Sequence, residues 1–187
     1  MRSDFSLIDA NGKRKYLVEA EREAFLSAAN RLPPRERAFC LTLEATGGRI
    51  SEVLALQKRH IDRAPGEISI LCLKKRGETI YRRVPVSPAL IAMLELVFDL
   101  GRGKGETILW QADVRTARRW IMKAMDSAKL NFGPHALRHT FGSRCVQKGL
   151  PLTSLQNMLG HADIKTTAIY AQVVGADLRK MMERMWE

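Results

Sequence analysis

Apolar residues recur at helical spacing along most of the chain, and proline and glycine cut that pattern into short blocks. "EAEREAFLSAANRL" carries Ala and Leu at about 3.6-residue spacing and predicts a helix. Pro33-Pro34 stop it and start the next, "RERAFCLTLEAT", which Gly47-Gly48 break before "RISEVLALQ" begins a third. "PALIAMLELVF" and "ADVRTARRWIMKAMDSA" are amphipathic and are separated by the glycine-rich "GRGKGE". Pro134 suits the first helical position of "HALRHTFGSRCVQKG", which ends at Gly149. "LTSLQNML" is closed by Gly160, and Asp163 can cap "IKTTAIYAQV". The tail "ADLRKMMERMWE" forms a last short helix, with Leu178, Met181, Met182, Met185 and Trp186 largely on one side.

Two stretches read as hairpins instead. "FSLIDANGKRKYLV" folds back around Asn11-Gly12, a strong turn pair. "EISILCLKK" and "TIYRRVPV" have strand composition, with "RGE" as the turn between them. The sum is about eight helices and two hairpins, a mainly α (α+β) fold with a small antiparallel sheet. No repeat, low-complexity tract or linker divides the chain. The expectation is one domain over residues 1–187, with a hairpin appendage at 1–17 and a C-terminal helix at 176–187.

Charge changes the picture more than composition does. At 187 residues and 45% hydrophobic content the chain can bury a real core. Its formal net charge of +11, from 31 Lys and Arg against 20 Asp and Glu, repels itself in the folded state and points to a polyanionic partner. Nucleic acid is the first candidate and an anionic membrane surface the second. The longest apolar stretch, "ALIAMLELVF", is short and carries Glu95, so it cannot span a bilayer, and "MRSDFSLIDANGKRK" has no secretory pattern. Cys40, Cys72 and Cys145 are widely spaced and match no metal or redox motif, as expected of free thiols in a reducing cytosol.

"GPHALRHTFG" concentrates the polar chemistry. His135 and His139 are four apart and share a helix face, as zinc ligands do, but no carboxylate lies between them and Arg138 would stand beside the cation. A phosphate fits better. His135 and Arg138 lie in the first turn after Pro134, where outward N–H groups and the helix dipole favour an anion. A solvated helix start with a structural histidine would look the same. Three further stretches bear on the choice. Arg49 opens a helix after Gly47-Gly48, with Glu52 three residues on and able to orient it. His161 stands just past a helix end, with Tyr170 on a helix face shared with Thr166 and Thr167. The second hairpin is basic, with Lys74, Lys75, Arg76, Arg82 and Arg83.

Together these stretches resemble the catalytic domain of the tyrosine recombinases, the phage-integrase family. "TGGRISE" resembles its arginine motif, and "LKKRGETIYRRVPV" its lysine hairpin with an R-x-V-P-like return strand. "HALRH" resembles its H-x-L-R-H box, and "LGHADIKTTAIY" its L-G-H box and tyrosine. The likeness runs from about residue 18 to 175 with the motifs in order. Each motif alone is weak, and the four together are specific.

The resemblance implies a helical DNA breaking-rejoining domain acting on duplex DNA. Tyr170 would attack the scissile phosphorus, leaving a 3′-phosphotyrosine and a 5′-hydroxyl. Arg49 and Arg138 would hold the non-bridging oxygens, His161 would donate to them, and His135 would take the phenol proton. A hairpin lysine would protonate the leaving 5′-oxygen. Alignment on "YRRVP" favours Lys74, and a K-x-G match favours Lys75, which would otherwise touch the DNA backbone. Glu52 and His139 are expected in supporting roles, and Arg76 on the DNA. Arg115, Arg118 and Arg119 would lie in a groove or form a solvated face. No cofactor or metal is implied. Self-association into a dimer or tetramer on DNA, and a cytoplasmic, nucleoid-associated site in a bacterium, phage or plasmid host, belong to the same reading.

Two departures stand out. Only 48 residues precede Arg49, so either a short recombinase without a separate core-binding domain or a fragment is expected, and "MRSDF" leans to the former. Gly48 stands where a larger residue is commoner, which should loosen the turn without removing Arg49. A topoisomerase IB-like nicking enzyme and a catalytically silent DNA-binding regulator are the rival readings.

Overall fold

Residues 6–72 and 80–171 are described by a computed structural model. The helices are α1 (Glu19–Asn30), α2 (Pro34–Thr46), α3 (Ile50–Leu54), α4 (Pro88–Phe98), α5 (Val114–Ser127), α6 (His135–Gln147), α7 (Leu152–Leu159) and α8 (Lys165–Ala168). The strands β1 (Ile61–Asp62), β2 (Glu67–Leu71) and β3 (Tyr81–Pro85) form one antiparallel sheet in that order. The α+β expectation holds. The residues of the expected C-terminal helix at 176–187, and of the "RGE" turn with Lys74, Lys75 and Arg76, lie outside the described residues.

α2 is the central helix. Ala38, Phe39, Cys40, Leu43 and Thr46 are buried on it, and it packs against α1, α3, α4, α5 and α6. Phe39 meets Trp110 and Trp120 edge-on at 5.4 and 5.5 Å between ring centroids, which closes the core beneath α5. The buried Glu44 of α2 is paired with Arg22 of α1 and with Arg144 of α6 at 3.6 Å. Removing one partner of such a buried pair costs about 3–5 kcal/mol, so this network ties three helices in register.

Proline and glycine act where the pattern placed them. Gly47 ends α2 in the left-handed region at φ +59°, and a Cβ there would sit 2.5 Å from the Phe141 ring of α6. The turn at Asn11-Gly12 forms, held by the Asp9 carboxylate accepting from the N–H groups of Asn11 and Lys13 at 2.8 and 2.9 Å. Its base is anchored through Leu7 and Leu17, both in the core, and the Leu17 N–H donates to Thr140 Oγ1 of α6 at 2.9 Å.

Three boundaries differ from the sequence pattern. The helix expected over "RISEVLALQ" stops at Leu54, because Gln57 is drawn into an antiparallel bridge with Ile108 and Leu109 N–H donates to Leu56 O at 3.0 Å. The sheet gains β1, whose two residues pair with Ile68 and Glu67 across a tight turn at Gly66. Among the described residues, the helix expected over "IKTTAIYAQV" is regular over Lys165–Ala168 and tightens into a 3-10 turn through residues 169–171. Asp163 does cap it, Oδ1 accepting from Lys165 N–H at 2.9 Å.

Candidate active site

The site forms where the loop between α2 and α3, the start of α6, the end of α7 and the inner face of the sheet meet. Arg49 flanks the first residue of α3, and its neighbour Glu52 turns back on it. The Glu52 carboxylate accepts from the Arg49 backbone N–H at 2.8 Å and from its Nη1 at 2.7 Å. The Arg49 side chain is 43% exposed, so the rest of its guanidinium faces the pocket. The Gly48 N–H donates to Thr46 Oγ1 at 3.2 Å, which fixes the turn despite the missing side chain.

Arg138, in the first turn of α6, lies beneath this loop and is buried. Nη1 donates to Gly47 O at 2.6 Å and Nη2 to Leu159 O at 2.7 Å. It thus clasps the ends of α2 and α7 together. Two of its five N–H groups are used, and three remain for a ligand. Burial, with Arg49 nearby, lowers its guanidinium to about 10, still a cation at neutral pH.

His161 follows Gly160, which ends α7 in the left-handed region at φ +66°. Its Nδ1 lies 2.9 Å from Thr167 Oγ1, leaving Nε2 as the ring nitrogen open to the pocket. Burial and then the surrounding Arg138, Arg49 and Arg82 hold it down to about 4, so it is neutral at pH 7. Together Arg49, Glu52, Arg82, Gln156, His161 and Thr166 line much of a cavity of about 840 Å³.

Tyr170 is placed differently. Its side chain is 1% exposed and lies flat on α6, with the ring only 2.5 Å from where a Cβ on Gly142 would stand. Its hydroxyl lies 3.3 Å from Nδ1 of His139, which is expected only as a supporting residue. Burial and then the charges of His135, Lys15 and Arg138 lower His139 to about 4, so its imidazole is neutral at pH 7 where it meets the phenol. Burial pushes the phenol up to about 12, with Arg138 pulling the other way. His135, the expected proton acceptor, is exposed at the first residue of α6.

The structure therefore brings Arg49 and His161 together on the pocket wall, while Arg138, His139 and the Tyr170 ring packed on α6 do not line the cavity. Arg115, Arg118 and Arg119 are exposed on α5 and do not line the cavity. Lys74, Lys75 and Arg76 lie outside the described residues. Among the described residues, no three His, Cys, Asp or Glu side chains gather as metal ligands. One residue stands in the R-x-V-P-like motif without an expected role. Arg82, one of the hairpin's arginines, points inward beside Val84 on a strand whose exposure alternates, and its side chain is 5% exposed. An arginine in the inward register of a strand signals a buried partner, here Glu52 at 2.5 Å.

This fold is that of tyrosine recombinase catalytic domains. The chain belongs to the phage integrase family, whose profile matches residues 15–176. It is 29% identical to a resolvase of Escherichia coli (strain K12), over 88% of this chain and 73% of that protein. Among solved structures, the XerA recombinase is similar with a TM-score of 0.76 at 27% identity, over 91% of this chain and 64% of that one. The XerH site-specific recombinase bound to its difH substrate has a TM-score of 0.73 at 23% identity, over 96% of this chain and 60% of that one. The chain thus spans about three-fifths of the length of these two structures.

Proposed function

We propose that this chain cleaves and rejoins duplex DNA at specific sites through a covalent bond between Tyr170 and a 3′-phosphate. The observation that carries the reading is the gathering of Arg49, Arg138 and His161 where α3, α6 and α7 meet, with Tyr170 packed on α6 within the field of Arg138. A phosphodiester already carries one negative charge, and attack by the phenol oxygen builds more on its non-bridging oxygens. Arg49 offers an exposed guanidinium, Arg138 three unused N–H groups, and His161 its Nε2–H, with Nδ1 accepting from Thr167.

The Tyr170 oxygen forms the new bond to phosphorus while the bond from phosphorus to the 5′-oxygen breaks. The phenol proton passes to a neighbouring imidazole, His135 or His139, and the 5′-oxygen takes a proton from Lys74 or Lys75. Attack by a 5′-hydroxyl of another strand reverses the step on new connectivity, and the phosphotyrosine conserves the bond energy, so no ATP or metal is called for. Exchange between duplexes needs cleaved ends held together, which is the role of protomers assembled on DNA.

The test is direct. A pool of random-sequence duplexes, each with a nick to trap the cleaved strand, is incubated with the protein, and covalent adducts are isolated and sequenced. Enrichment of a defined sequence, with the DNA on Tyr170, is the expected result. Adducts on another residue, or none, would overturn the assignment. Relaxation of supercoiled plasmid by lone protomers without strand exchange would favour a topoisomerase-like enzyme.

A further inference from the structure

The mechanism above leaves Arg82 unused, although it is among the most deeply held charges at the site. Its guanidinium makes three contacts. Nη2 donates to Glu52 at 2.5 Å, Nε donates to Met158 O at 2.8 Å, and Nη1 lies 3.4 Å from Cys72 Sγ. Each contact reaches a different segment. Glu52 belongs to α3 and Met158 to α7, and Cys72 follows the last residue of β2. The turn at Gly160 closes over it, so that a Cβ there would meet Arg82 Nη1 at 3.2 Å and Cys72 Sγ at 3.0 Å.

Glu52 is the junction. One oxygen takes Arg49 Nη1, and the other takes both the Arg49 backbone N–H and Arg82 Nη2. Without Arg82 the carboxylate could swing toward Arg49 and neutralise it face to face, drawing that guanidinium away from a phosphate. With Arg82 in place, Glu52 is shared between two cations and fixed in orientation. Burial raises its carboxyl and the Arg82 and Arg49 hydrogen bonds more than offset this, so it stays ionised. The contact to Met158 O also steadies the last turn of α7, from which His161 projects.

We propose that Arg82 is a positioning residue for DNA cleavage, setting Glu52 and through it aiming Arg49 at the reacting phosphate. The inference rests on the recombinase reading above. It concerns a residue with no direct part in the chemistry.

The experiment uses the duplex that the wild-type chain selects, in single-turnover cleavage, with either a normal phosphate or an uncharged methylphosphonate at the scissile position. Arg82→Gln should slow cleavage of the normal phosphate by about 10- to 100-fold, as misplacement of a catalytic group does, with DNA affinity little changed. The double variant Arg49→Ala with Arg82→Gln should be scarcely slower than Arg49→Ala alone. On methylphosphonate, which lacks the charge that Arg49 neutralises, the Arg82→Gln defect should largely disappear. A merely structural role would slow both substrates alike and add to the Arg49 defect, and that result would overturn the proposal. Should Arg82→Gln fail to fold, Arg82→Lys keeps the charge while reaching one of Glu52 and Met158 at a time. Its intermediate rate, with the same methylphosphonate rescue, is then expected, and wild-type rates on both substrates would count against the proposal. Absence of any Tyr170 adduct with the wild-type chain would instead remove the recombinase reading itself.

Discussion

On the arginine side of the site Arg138, Arg82 and Glu52 are each held at two or more points, whereas on the tyrosine side the oxygen proposed to react is buried against one helix. Arg138 clasps two carbonyls, Arg82 bridges three segments, and Glu52 joins Arg49 to both the loop and the sheet. Tyr170 sits after a helix of four residues, and its hydroxyl meets a neutral imidazole away from solvent. The difference separates two tasks. Electrostatic stabilisation works best from groups that need no rearrangement when the charge develops. The proposed nucleophile is kept apart from that cradle, and to reach a phosphate there the phenol must leave a seat in the core that Ile169 shares.

The sharpest way to break the comparison is to remove the oxygen of the proposed nucleophile. Tyr170→Phe should abolish covalent attachment to DNA and leave gel-shift affinity nearly intact, because every cationic group remains. Affinity falling as steeply as cleavage would show that the phenol belongs to the cradle after all.

The next largest effects separate two arginines of equal charge. Arg49→Ala and Arg138→Ala should each slow cleavage on the order of 10²-fold or more, and lysine at either position should rescue poorly because it lacks the planar fork. Only Arg138→Ala should also lower the melting temperature markedly, since it strands the Gly47 and Leu159 carbonyls at about 1–3 kcal/mol each. Equal melting temperatures for the two variants would contradict the clasp.

A smaller effect reports on the tyrosine's seat. Gly142→Ala puts a Cβ 2.5 Å from the Tyr170 ring and should cost about 1–3 kcal/mol as overpacking. The displaced phenol should titrate below its buried value of about 12, toward the ordinary 10. Difference absorbance against the same variant carrying Tyr170→Phe isolates that one phenol, and an unchanged titration would mean that the ring keeps its place.

The mildest effect is on stability against pH. His139 and His161 take up a proton near 6.5 when unfolded but only near 4 when folded. The unfolded chain therefore binds more protons between those values, and stability should fall as pH drops from about 6.5 to about 4. Tyr170 acts at the other end, where stability should fall as pH rises from 10 toward 12. Chemical denaturation across the acid window should show a shallower slope for His139→Asn, and an identical slope would place His139 in water.

Much of this was legible in the sequence because its signals are local. Glu52 follows Arg49 by three residues at a helix start, and Gly47, Gly149 and Gly160 all take the left-handed turns that their positions announce. What escaped depends on distant pairing. The early end of α3 follows from the bridge between Gln57 and Ile108, and β1 is too short to carry a pattern. The R-x-V-P-like motif marks Arg82 rather than Arg83, but only the sheet's buried face makes it a brace and leaves its neighbour exposed. The meeting of His139 with Tyr170 likewise depends on how the segment after α7 folds back across α6.

The glycine that ends α2 restricts how the molecule can change over generations. At position 47 a side chain meets two independent obstacles, a positive φ and the Phe141 ring, and the same residue's carbonyl is a partner of Arg138. A single mutation there must strain the backbone and move α6 at once, so the viable paths through sequence space run first through a smaller residue at Phe141. A suppressor screen on Gly47→Ala should accordingly return changes at Phe141 or Leu159, the two side chains that face the missing Cβ.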